Sequence, residues 1–494
     1  MAQLTKKKIS ISYIIWTIIG LVIMFFTAQI FPTWGPVTEL GLSMVGVFVG
    51  LLVLITATND TIWPSLAAYI ALMVHGYMNA STATSTLIGT TVILQMIAVM
   101  VICSALRETG AGQVIAKKLL TIKAVQGKPL TFSIVFLVAF LIADIFLSTF
   151  GGILFAFAVF DSIIDALGYD RKDKYVKCMN LGLYLCAMLG SSLLPFSGMV
   201  LGITSAFNKA IMESGFGFNQ AVYIISAIPA GVAFIVMYAV CMKYVFKCDM
   251  SKLYNLDVNK LESLNNVESK FNKIQIVYLC SFIFGIAYSF ALLLIPKSLS
   301  WYPTFASITQ CGWFVIVIII LTMIRVGGKP LMDVGKHFKE GAVWSLILPV
   351  GIFTAVGGAM SASDLGFGTW LMEFLSPIFT NMSWPIFVLL IVLICSVVTN
   401  FFSNMATGVI VSSLTAPFAI AYASTSGINI SVIATAIAFS SMFAYMTYAA
   451  AGPAPLILRR DGVDNKFVWS TGVLTLILYI VVATIVFTIL GYIY

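Results

Sequence analysis

Residues 130–167 form 38 consecutive positions without a lysine or arginine, and basic residues stand at both ends. Lys117, Lys118, Lys123 and Lys128 precede the block; Arg171, Lys172, Lys174 and Lys177 follow it. A straight membrane helix needs only about 20 residues, so the block is too long for one span. The positive-inside rule puts both flanks on the cytoplasmic side. The block must therefore enter and leave through one face, as a re-entrant hairpin with two short arms. A second apolar block, 383–424, has no Lys or Arg near either end, which suits a hairpin entering from outside.

Composition agrees that the surroundings are lipid. The 494-residue chain is 60% hydrophobic and 9% charged, against about 25% charged in soluble domains. Disordered chains, coiled coils and nucleic-acid-binding modules need far more charge, so a nucleic-acid partner is excluded. The eight cysteines stand singly, with no CxxC pair, and read as packing residues. The apolar run from Ile9 lacks a small-residue cleavage site and reads as a retained first span.

Hydropathy predicts an all-α polytopic membrane protein of about 11 transmembrane helices plus the two opposed hairpins. In that topology the N-terminus is cytoplasmic, the C-terminus is outside, and every Lys and Arg except Lys209 and Lys297 is cytoplasmic. The expected location is the plasma or inner membrane. The predicted order of span, amphipathic connector, hairpin, broken span and span occurs twice. Ala105–Gly112 opens it in one half and Ala359–Gly368 in the other. The units start from opposite sides, so the repeats are inverted, which points to a secondary transporter with its site near the midplane. The expected divisions are scaffold spans 1–80, repeat 1 over 81–243, a cytoplasmic linker 244–273, scaffold spans 274–335 and repeat 2 over 336–494.

A buried hairpin tip exposes carbonyls from its first arm and N–H groups from its second, which can hold a cation and an anion. The first tip carries Ser148, Thr149 and Gly151; the second carries Ser403, Asn404 and Thr407. The broken spans hold Gly190, Ser197 and Gly198 in one half and Thr447 and Gly452 in the other. Glycine and proline there free backbone carbonyls, tolerable only beside a cavity or an ion. Small-residue helix packing is the competing explanation for the same residues.

Ser403-Asn404-Met405-Ala406-Thr407 resembles the hairpin motif of the divalent anion/sodium symporters, within the ion-transporter superfamily. The stretches Ser191–Gly198 and Thr447–Pro455 resemble that family's two unwound loops. The resemblance covers most of the chain from about residue 86. It implies an elevator-type carrier, usually a homodimer in membrane lipid, moving a small anion such as a di- or tricarboxylate or sulfate with sodium. Candidate sodium ligands are then Asp144, Ser148, Gly190, Gly198, Ser403, Asn404 and Gly452, with no other cofactor. The chain departs from the motif at Thr149, Phe150, Gly152 and Met405.

Asp144 stands four residues before Ser148, on the same helical face. An acid inside a membrane arm is expensive, so it reads as an ion ligand or a proton carrier, or else as half of a structural pair. Proton coupling with an amino-acid-like or other organic solute is therefore the alternative. Asp161 and Asp165 are expected to be solvated, and His75 and His337 to be bystanders. No phosphate loop, catalytic triad or metal-ligand spacing is present, so enzymatic chemistry is not expected.

Overall fold

The protein is described from a computed structural model covering residues 11–58, 60–120, 127–147, 149–255, 268, 270–379, 382–448 and 450–494. Two 20-residue apolar helices come first, α1 (Ile11–Ile30) and α2 (Glu39–Thr58). Glycines let them cross closely: a Cβ on Gly46 would meet Thr27, and one on Gly50 would meet the Gly20 carbonyl. The shorter α3 (Ile62–Val74) follows. Then α4 (Ala80–Ile88) and α5 (Thr91–Glu108), capped by the Asn79 and Thr90 side chains, together make one span of 29 residues. The amphipathic connector is α6 (Ala111–Leu120).

The first long block forms two arms, α7 (Pro129–Ala143) and α8 (Thr149–Leu167). The broken span is α9 (Lys174–Gly190) and α10 (Gly198–Ala210), and α11 (Gln220–Tyr244) ends the first half. The second half opens with α12 (Lys273–Leu294), started by an Asn272–Gln275 capping box. After it come α13 (Tyr302–Ser307), α14 (Thr309–Met323), α15 (Val334–Gly341) and α16 (Trp344–Ser361). The connector α17 (Phe367–Phe379) leads to the arms α18 (Trp384–Val398) and α19 (Asn404–Ser426). The second broken span is α20 (Ile430–Ser440) and α21 (Ala454–Leu458). A π turn, Val468–Gly472, leads into α22 (Val473–Ile493). Among the described residues the only sheet is a pair of two-residue strands, Arg325–Val326 with Lys329–Pro330.

Among the described residues eight helices are long and apolar enough to cross a membrane, and two of them, α8 and α19, are hairpin arms. Eleven full spans are reached by adding the bent pair α15–α16, the shorter α3 and α14, and the two interrupted spans. Large apolar side chains such as Phe26, Leu154 and Ile485 are exposed, as on a lipid-facing surface.

The last span fixes the hairpins' relative direction. At its start, Asp464 pairs with Lys177 at 3.0 Å, beside the base of the first hairpin. A hydrogen bond from the Phe467 N–H, with that lysine, holds the Asp464 carboxyl below its usual range. Near its end, the Thr488 carbonyl accepts from Trp384 at the base of the second hairpin. At 1.5 Å per residue these points lie roughly 35 Å apart, so the two hairpins enter from opposite faces.

One expectation changes here. Asp161 is not simply solvated: Arg171 and Arg460 both bond it, tying α8 to the loop after α21. Arg171 also reaches Asp165 at 2.8 Å.

Candidate functional site

The first hairpin tip and the first broken span meet at a cavity of about 250 Å³, close to the lower end of small-molecule sites. Its walls include Asp144 and Thr149 from the hairpin, and Gly190, Ser191, Ser197 and Gly198 from the break. Also lining it are Cys103 and Arg107 of α5 and Phe282 of α12. Met442, from the second broken span, closes one end.

The cavity has two electrostatic poles. Helix α9 ends in it at Gly190, presenting the negative end of a helix dipole, and Asp144 lies against that end. Helix α10 begins in it at Gly198, and the Ser197 side chain leaves this start uncapped. A helix start of this kind favours an anion. One pole thus suits a cation and the other an acid group of a solute.

Asp144 is only 1% exposed, and neither carboxylate oxygen has a hydrogen-bond partner. Burying an unpaired carboxylate is costly, so its charge must be met by a proton or a cation. The room for it comes from glycines: a Cβ on Gly152 would overlap Asp144 Oδ1, and one on Gly190 would come within 2.8 Å of Asp144 Cβ.

The second tip is organised differently. Thr399 ends α18 as Asp144 ends α7. Its hydroxyl is within bonding distance of both Asn404 Oδ1, at 3.1 Å, and the Ser441 carbonyl, at 2.6 Å. Asn400 is fully engaged. Its amide donates to the Ser396 and Phe443 carbonyls, while its oxygen accepts from the N–H groups of Tyr445 and Met446. The Thr447 hydroxyl donates to the Asn400 carbonyl. This tip is therefore sewn to the second unwound segment.

Of the sequence-predicted residues, Asp144, Thr149, Gly190, Ser197 and Gly198 share the cavity. Ser148 lies outside the described residues. Gly151 is exposed in the first turn of α8, and Gly452 is exposed with its Cα facing the Phe150 ring. Ser403 is half-buried at the start of α19. Asn404 reaches the cavity only through Met442, whose sulfur lies 3.7 Å from its amide nitrogen. Thr407 is buried with its hydroxyl unpartnered.

Residue patterns did not reveal Arg107 as a cavity residue, because it reads as the start of a basic flank. Nor did they reveal the buried tyrosines that satisfy the unwound carbonyls. Tyr223 donates to Ser192, Tyr184 to Ala444 and Tyr445 to Gly472 in the π turn. For Tyr184 and Tyr223 the signal is a hydroxyl inside an apolar helix, which needs a partner when buried. His337, expected to be a bystander, contacts Ser104 at 3.2 Å.

The sequence model of the citrate transporter family, CitMHS, matches residues 51–414. The chain belongs to the citrate transporter family. This bears out the resemblance drawn from the hairpin motif. The chain is a multi-pass membrane transporter and not an enzyme. The crystal structure of the YdaH transporter of Alcanivorax borkumensis is similar in fold, with a TM-score of 0.53 at 10% identity. The likeness covers 91% of this chain and 98% of that one. No curated protein sequence matches this chain.

Proposed function

We propose that the chain is a secondary carrier moving a citrate-like anion by alternating access, driven by a cation bound at Asp144. The observation that carries this reading is the two-pole cavity at the meeting of hairpin tip and broken helix. The buried carboxyl and the end of α9 mark the cation pole, and the start of α10 marks the anion pole. A di- or tricarboxylate suits such a site; the divalent anion/sodium symporters add sodium as the ion, an elevator movement and a homodimer. The N-terminus is then cytoplasmic and the C-terminus outside.

The internal symmetry favours a second reading, with a proton as the coupling ion. Thr399 donates its hydroxyl proton to the carbonyl ending the following broken helix. The counterpart of that carbonyl in the first half is Ser191, which shares the cavity with Asp144. A protonated Asp144 has an O–H to donate there; an ionised one has none.

The test is the melting temperature of purified protein with citrate, succinate or sulfate, in sodium or choline, across pH. A ligand at ~100 times its Kd adds ~2.7 kcal/mol to the folded state. Stabilisation that requires sodium and one anion together supports sodium coupling. Stabilisation by the anion without sodium, growing as pH falls, supports the proton. An anion effect independent of both ions would contradict cation coupling.

A further inference from the structure

Arg107 sits in the last turn of α5, four residues after Cys103, and both line the same cavity as Asp144. Among the described residues its guanidinium has no hydrogen bond and no ion pair. The adjacent acid is already taken: both Glu108 carboxylate oxygens accept from Lys336, at 2.6 and 2.7 Å. Asp144, in the same cavity, is equally unpartnered. A half-buried guanidinium with free donors facing a cavity matches a carboxylate, which it can hold through two parallel bonds.

The wall that carries Arg107 is built by α5 together with α12 and α14. Val99, Ile102 and Leu106 of α5 pack with Tyr278, Phe282 and Phe314 in one hydrophobic cluster. Leu194 and Phe196 of the first break belong to the same cluster, and Ile145 and Phe146 of the first tip pack against it.

We propose that Arg107 is a one-sided anion station. It holds one carboxylate of the solute while the first tip and first break lie beside the end of α5, as they do here. It loses that carboxylate when they move away, and the start of α10 travels with the solute. This inference rests on the alternating-access reading. Its consequence is asymmetric affinity, with the solute bound more tightly from the face to which the end of α5 opens.

The experiment is counterflow of labelled citrate by the full chain in uniformly oriented vesicles, with citrate varied separately on each face. R107Q should raise KM by about tenfold or more on one face and less than about twofold on the other. R107K keeps the charge but loses the fork and should fall between wild type and R107Q on that same face. If R107Q fails to fold, as judged by size-exclusion elution, R107K alone decides by whether its rise is one-sided. If Arg107 only serves as a flanking charge at a helix end, KM changes on neither face. No change, or an equal change on both faces, overturns the proposal. A wild type that exchanges no citrate-like anion overturns the carrier reading with it, whereas an exchanging wild type with unaltered variants overturns this one alone.

Discussion

Asp144 and Gly152 define each other at the first tip. The carboxyl fits because the first turn of α8 offers a bare Cα at Gly152. We predict that G152A costs about 1–3 kcal/mol, as overpacking does, and abolishes transport by displacing the acid. The cost should largely disappear in a D144A background, because the methyl then enters the vacated space. Melting midpoints of the four proteins in that cycle check this; an undiminished cost in D144A would mean that the glycine serves backbone geometry instead.

At the scale of elements, one side chain makes most of the hydrogen bonds that tie the second hairpin to the second unwound segment. Asn400 supplies three hydrogen bonds between the end of α18 and the unwound segment 441–447, and a fourth back to the Ser396 carbonyl within α18. N400L should leave two N–H groups and a carbonyl buried and unpaired, and each such loss costs about 1–3 kcal/mol. A melting midpoint lowered by several degrees is expected, measured without ligand. N404L should disturb stability less, since among the described residues the Asn404 side chain bonds only Thr399 and the Met442 sulfur. Equal losses would contradict the division of labour between the two amides.

These elements also mark what could be read from sequence. The first hairpin follows from charge placed at both ends of an over-long apolar block, the second from another such block with no Lys or Arg near either end, and the breaks from glycine and proline inside spans. Local rules suffice for both. The same rules do not separate Asn400 from Asn404, because the groups Asn400 holds lie more than 40 positions away. Arg107 escaped for a related reason: its sequence neighbourhood is a basic flank, and only folding turns the guanidinium toward Asp144's cavity. Asp161 looked solvated because its second arginine, Arg460, belongs to the other half.

For the whole molecule, opposed hairpins bring two unwound segments together at one cavity, and the halves differ in what they place there. One half puts a hydroxyl at the end of the first arm, already bonded; the other puts a carboxyl, unbonded. In the proposed carrier the bonded half gives rigidity, and the unbonded half keeps a site for an ion. Coupling then requires that this carboxyl carry the driving cation along with the solute. The direct measurement is labelled citrate transport by D144N beside wild type, as gradient-driven accumulation and as exchange without a gradient. The account predicts that D144N keeps exchange and loses accumulation under sodium and proton gradients alike. Accumulation by D144N to the wild-type level would contradict it.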